Sequence, residues 1–232
     1  MNILVTGASQ GIGFAVAEIF AKEENRVLIT SRNEVRLYHA LESLQTKYPG
    51  TDLRAKAFDL SVKAEAVALG QWALQQGVPD ILVNNAGLFE PGNVSEEADG
   101  ALESQMATNL YSAYHLTRTV LPAMKEKKHG FIFNICSIAG LQAYPGGGSY
   151  SISKFALNGF SQNLREELKP YGIKVAALFP GAVMTASWDG FDNSKQRIME
   201  ATDIATLIET ATRLSDAACV ESIILRPQLG DL

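Results

Sequence analysis

Apolar positions along the chain gather into short, nearly unbroken runs: NILVT (2–6), RVLITS (26–31), ILVNN (81–85), FIFNI (131–135), KVAALF (174–179) and SIILR (222–226), with a weaker one, DLRAKAF, at 52–58. Runs of this length rich in Val, Ile and Leu suit strands buried on both faces, the mark of a parallel sheet. Between them, Gly13–Glu24, Glu34–Tyr48, Lys63–Gln76, Leu102–Lys127, Ser151–Lys169 and Asp203–Leu214 mix apolar and polar residues near the helical period. Strand alternating with helix predicts βαβ crossovers. The expected fold is α/β: a doubly wound, seven-stranded parallel sheet with helices on both faces. No Pro/Gly/Ser-rich linker, repeat or charge block interrupts residues 1–232, so one domain is expected.

Composition changes this picture little. Apolar residues make up 47% and charged residues 19% of the chain, as in an ordinary globular protein. A formal net charge of −5 gives no reason to expect nucleic acid or an anionic membrane as partner. The basic cluster Lys125–His129 (KEKKH) suits a solvated helix end. The opening apolar run Ile3–Val5 is too short for a signal-peptide core, and no stretch approaches the roughly 20 apolar residues of a membrane span, so a cytoplasmic location is expected. Cys136 and Cys219 suit unpaired, apolar thiols in a reducing compartment.

In doubly wound sheets ligands bind beyond the carboxyl ends of the strands, which directs attention to the residues after each run. After the first comes TGASQGIG, Thr6–Gly13, opening straight into a helix. The spacing GxxxGxG keeps the physical logic of a Rossmann-type turn: glycines allow a tight turn and let the backbone approach a pyrophosphate, which rests on the positive helix N-terminus. The competing reading is a helix capped by Ser9 with glycines for close packing. After the second run stand Ser31 and Arg32, where an NAD site usually places an acid. A hydroxyl and a guanidinium would instead bind a 2′-phosphate, which favours NADP(H). Asp59 and Leu60 follow the third run, as candidates for the adenine amino group and ring. Asn84, Asn85, Ala86 and Gly87 follow the fourth, where a cofactor ribose would pass.

Taken together, TGASQGIG, NNAG, Asn109, Ser137, YSISK (150–154) and PGAVMT (180–185) occur in the order and at about the spacing seen in short-chain dehydrogenases/reductases. The chain resembles that family over essentially its whole length. The resemblance implies a cofactor turn at Gly7, Ser9, Gly11, Ile12 and Gly13, adenine contacts from Asp59 and Leu60, and ribose contacts from Asn85 and Gly87. It implies a catalytic tetrad of Asn109, Ser137, Tyr150 and Lys154. Pro180, Gly181, Val183 and Thr185 match the segment that cups the nicotinamide. One departure is Gln10, where many NADP-dependent members carry a basic residue; it leaves the 2′-phosphate chiefly to Arg32. Dimers or tetramers built through helices 102–127 and 151–169 are also implied, with Leu110, Ala113, Leu116, Phe155 and Leu157 available to that contact or to the core.

The chemistry follows from the residue types. A carbonyl receiving hydride develops an oxyanion, which Tyr150 can protonate while Ser137 holds the oxygen. A free phenol titrates near pH 10, and an ammonium one helical turn away, Lys154, is expected to favour the phenolate and lower that value. Lys154 can also bond the nicotinamide ribose, and Asn109 resembles the residue that holds a relay water. The expected reaction is hydride transfer between NADP(H) and a small carbonyl or alcohol. Candidate pocket residues are Phe89, Leu141, Gln142, Tyr144, Met184, Trp188 and Phe191, with a short lid near 185–201. The tail VESIILRPQLGDL and PGAVMTASW are similar to bacterial sepiapterin-reductase-like members. Sepiapterin reduction, 3-oxoacyl-carrier-protein reduction and a non-catalytic NADP(H)-binding regulator remain the alternatives.

Overall fold

The computed structural model describes residues 1–185, 188 and 190–231. Seven strands form one sheet: β1 (Asn2–Thr6), β2 (Arg26–Thr30), β3 (Leu53–Ala55), β4 (Ile81–Asn84), β5 (Gly130–Ile135), β6 (Ile173–Pro180) and β7 (Ser222–Leu225). Their order is β3-β2-β1-β4-β5-β6-β7, and every pairing is parallel. The fold is the expected Rossmann-type α/β sheet. The order reverses between β1 and β4, both of which flank the glycine turn.

Period-two alternation sorts the strand side chains onto two cores. Ile3, Val5, Val27, Ile29, Ile81, Val83, Phe131, Phe133 and Leu178 face one side. There they meet helices α1 (Gly11–Ala21), α2 (Glu34–Lys47) and α7 (Ala201–Thr212) through Val16, Phe20, Leu37, Leu44, Ile204 and Ile208. The intervening residues Leu4, Leu28, Leu82, Ile132 and Val175 face the other. They pack against α3 (Lys63–Gln76), α5 (Ser112–Lys127) and α6 (Gly148–Leu168) through Leu69, Leu116, Val120, Met124 and Leu164. Phe20, Leu4, Leu28, Ile81 and Leu82 are fully buried, and truncating such a residue to Ala typically costs about 2–5 kcal/mol.

Two helix expectations need correction. The single helix expected over 102–127 is three pieces: α4 (Ala101–Met106), a π-helical turn at Ala107–Tyr111, and α5. The helix expected from Ser151 begins at Gly148, three residues earlier, for a reason that lies in another loop. Of the positions left open between core and contact, Ala113, Leu116 and Leu157 are core, whereas Phe155 is 44% exposed. Among the described residues no helix is long and apolar enough to cross a membrane.

Candidate active site

The carboxyl edge of the sheet gathers the turn after β1, Ser31–Arg32 after β2, Asp59 after β3, Asn85–Gly87 after β4, Ser137 after β5 and Gly181 after β6. In the turn, Gly7 and Gly11 take φ of +64° and +59°, a left-handed backbone that favours glycine. A Cβ on Gly13 would stand 2.5 Å from both Asn85 Nδ2 and Gly7 O, so helix α1 packs against the turn through the missing side chain. Asn85 holds that packing. Its Nδ2 donates to Thr6 O (2.9 Å) and Gly7 O (3.1 Å), while Thr6 Oγ1 accepts the backbone N–H groups of Asn85 and Ala86. Sequence reasoning sent Asn85 toward a ribose; the structure spends its amide on the glycine turn.

Helix α1 receives no side-chain cap and has no acid in its first turn, so Ser9 does not cap it. Its first N–H groups point out of the turn without a side-chain acceptor, the condition an anion-binding helix end requires. Half-buried Ile12 packs against the core, and Gln10 is exposed. Ser31 Oγ donates to Asn33 O, and exposed Arg32 makes no hydrogen bond or ion pair among the described residues. The Asp59 carboxylate accepts from Ser61 N and Oγ, tying down the loop before α3, and Leu60 packs into the second core. These residues fit a phosphorylated dinucleotide: an uncapped helix end, glycines that admit a close backbone, and a cation at the end of β2.

At the other half of the edge, Tyr150 and Lys154 project from the first turns of α6. Lys154 is 5% exposed; its Nζ donates to Ile135 O at 2.9 Å and lies 5.7 Å from the Tyr150 ring centroid. Burial lowers its pKa to about 8. Burial pushes the Tyr150 phenol above its usual value, and the nearby Ser137 side chain acts in the opposite direction. That direction reverses the expectation that Lys154 would depress the tyrosine: the ammonium is turned to a backbone carbonyl, and desolvation prevails. A protonated phenol is the form an acid needs.

Ser137 Oγ also accepts Ala139 N–H, and Phe89 sets the edge of its ring against Tyr150 with centroids 4.8 Å apart. Asn109, at the centre of the π-helical turn, is 1% exposed. Its Oδ1 accepts Leu88 N–H (2.7 Å), and its Nδ2 donates to Leu88 O (2.9 Å) and Ser153 Oγ (2.8 Å). Ser153 in turn donates to Tyr150 O. The side chain expected to hold a water therefore clamps the segment after β4 to α6, with the Gly87 backbone passing between Asn109 and Lys154. Ser153 escaped sequence reasoning, although its place inside YSISK on the inward face was available. Asn84 turns away from the edge, bonding Thr117 and Asn134 inside the sheet.

Leu141, Gln142 and Tyr144 are exposed along the loop after Ser137; partial desolvation of its phenol raises the Tyr144 pKa. Pro180 at the end of β6 and Val183 after it are buried, and Thr185 approaches the turn so closely that a Cβ on Gly11 would meet its Cγ2 at 3.1 Å. Met184 N donates to Met199 O and Met199 N to Ala182 O, a parallel bridge that ties both ends of the expected lid together. Trp188 and Phe191 meet edge to face at 5.3 Å between them. Ala186, Ser187 and Asp189 lie outside the described residues.

A nucleotide-accepting carboxyl edge joined to a Ser–Tyr–Lys cluster, with Ser137 and Lys154 buried and Tyr150 half-buried, defines an α/β oxidoreductase. Residues 1–196 match the short chain dehydrogenase family, and the chain belongs to that family. It is 31% identical to the sepiapterin reductase of Chlorobaculum tepidum, across 99% of this chain and 97% of that one. A metagenomic short-chain oxidoreductase solved in complex with NADP superposes with a TM-score of 0.85 at 30% identity, covering 98% and 97% of the two chains. An actinorhodin polyketide ketoreductase variant solved with NADPH gives 0.87 at 30% identity, covering 96% and 94%.

Proposed function

We propose that the protein is an NADP(H)-dependent reductase or dehydrogenase of small carbonyl and alcohol compounds, in which Tyr150 is the general acid and base. The observation that carries this reading is the packing of buried Ser137 and Lys154 with half-buried Tyr150 in one cluster at the carboxyl edge, beside an uncapped helix end. NADP(H) is favoured over NAD(H) by Arg32 and Ser31, by the absence of an acid there, and by the NADP and NADPH complexes of the two similar structures.

When bound, the nicotinamide supplies or accepts the hydride. Ser137 orients the carbonyl oxygen and stabilises the charge that develops on it. Tyr150, kept a phenol by burial, donates its proton to that oxygen; in oxidation it takes the proton back. Lys154, its ammonium anchored on Ile135 O, contributes a buried positive charge that can bond ribose hydroxyls. Asn109 keeps Leu88 and α6 in register, so that Phe89 stays against the phenol. Residues 1–232 act as one cofactor-binding unit in this reading, with 185–201 as substrate lid, Trp188 and Phe191 on its inner face and Met184 just before it. Two or four copies assemble through the faces bearing exposed Phe155 and Tyr111.

Among substrates, sepiapterin is the first candidate because of the Chlorobaculum relative, followed by a 3-oxoacyl ester by analogy with the polyketide ketoreductase. The test is NADPH consumption at 340 nm with sepiapterin, diketones, quinones and short 3-oxoacyl esters. Turnover with at least one supports the reading. Tight NADPH binding without turnover of any would replace it with a regulatory, cofactor-sensing role.

A further inference from the structure

Helix α6 carries the expected acid as its third residue, yet it has no cap of its own. Its N-cap is Gly147, which offers no side chain, and no acid lies in its first turn. The cap comes from the loop between β4 and α4. Glu97 Oε1 accepts Ser149 N–H at 2.8 Å, and Oε2 accepts the Ser149 hydroxyl. A carboxylate at a helix N-terminus takes up an otherwise orphaned N–H and meets the positive end of the helix dipole.

The surroundings are shaped to this contact. A Cβ on Gly148, whose φ is +34°, would stand 2.2 Å from Glu97 Oε1 and 2.5 Å from Gly92 O. Gly92 N donates to Gly146 O at 2.9 Å, and Gly146 N donates to Asn93 Oδ1 at 3.1 Å. The glycines before Tyr150 therefore make room for a second chain segment rather than merely turning the first. Since Asn109 fixes the same loop at Leu88 and Phe89 packs on the Tyr150 ring, residues 88–97 are pinned at both ends around the phenol.

We infer that Glu97 is a positioning residue for the reaction: by capping α6 from the neighbouring loop it sets where Tyr150 stands against Ser137. The inference rests on Tyr150 being the acid. Without the carboxylate the first turn of α6 frays, and Tyr150 shifts away from the Ser137 side chain that favours its phenolate.

The experiment compares Glu97→Ala, Glu97→Gln and Tyr150→Phe with the wild-type enzyme, on whichever substrate the panel identifies. Glu97→Ala is expected to lower kcat tenfold or more, leave the NADPH dissociation constant within twofold, and move the alkaline limb of the kcat/KM profile to higher pH. Glu97→Gln, whose amide oxygen still accepts the Ser149 N–H, is expected to return within about fivefold of wild type. Wild-type kcat and pH profile in Glu97→Ala overturn the assignment. So does equal impairment of the Ala and Gln variants with the profile unmoved. Should Glu97→Ala not fold, Glu97→Asp shortens the reach by one methylene: a fivefold or greater fall in kcat with NADPH affinity retained supports the inference, and wild-type kcat overturns it. If Tyr150→Phe keeps turnover, the reading of the active site itself has failed, and Glu97 with it. If Tyr150→Phe is inactive while Glu97→Ala is unaffected, Glu97 alone has been misassigned.

Discussion

Burying Lys154 should leave a thermodynamic trace that can be read without a substrate. Its folded pKa is about 8 against an ordinary 10.5. Below pH 8 the lysine is charged in both folded and unfolded chains, and the folded protein bears the whole cost of holding an ammonium out of water. Between pH 8 and 10.5 the unfolded chain binds more protons, so stability rises with pH through that window. At about 1.4 kcal/mol per pH unit of separation, the gain from pH 7 to pH 10 is about 2–3 kcal/mol. Lys154→Met keeps the stem and removes the charge. The difference in unfolding free energy, wild type minus Lys154→Met, cancels the titrations common to both proteins. Urea denaturation at pH 7, 8, 9 and 10 is expected to show that difference moving in favour of wild type by about 2–3 kcal/mol, most of it above pH 8. A difference that stays flat across the range would refute the burial of a charged lysine on which the site's electrostatics depend.

Other substitutions probe the cofactor side. Arg32→Ala is expected to weaken NADPH by about five- to thirtyfold, as loss of about 1–2 kcal/mol of charge-assisted bonding requires. NADH should hardly change, and titrating both cofactors by fluorescence checks the contrast. Gly13→Ala drives a Cβ to 2.5 Å from Asn85 Nδ2 and Gly7 O; forced overpacking costs about 1–3 kcal/mol. A lower thermal midpoint together with at least tenfold weaker NADPH binding is expected, and either measured alone at wild-type value would count against the rigid turn.

The central strands were legible because a buried parallel sheet leaves a chemical signature, short apolar runs rich in Val, Ile and Leu; the edge strands β3 and β7 are partly exposed, and β3 gave the weakest run. Boundaries drifted where distant contacts decide them. Helix α6 begins at Gly148 because Glu97, some fifty residues away in sequence, supplies the cap; a local reading sees only three glycines. The π-helical turn at 107–111 was hidden for a similar reason, since its sequence suits an α-helix and the stabilising bonds run to Leu88 and Ser153. Candidate site residues were legible as a set, through their order along the chain. Their roles were less so. In the structure Asn85 and Asn109 both bond backbone, because an amide's partner is fixed by which segment folds against it. The direction of the Tyr150 shift was missed because spacing gives proximity to Lys154 but not burial, and burial prevails.

The most direct measurement is single-turnover NADPH oxidation by Tyr150→Phe beside wild type, on the best substrate of the panel. Tyr150→Phe retains the ring that packs on Phe89 and loses only the hydroxyl. The expected result is a fall of at least a thousandfold in the hydride-transfer rate with NADPH affinity unchanged. A rate within tenfold of wild type would contradict Tyr150 as the proton donor.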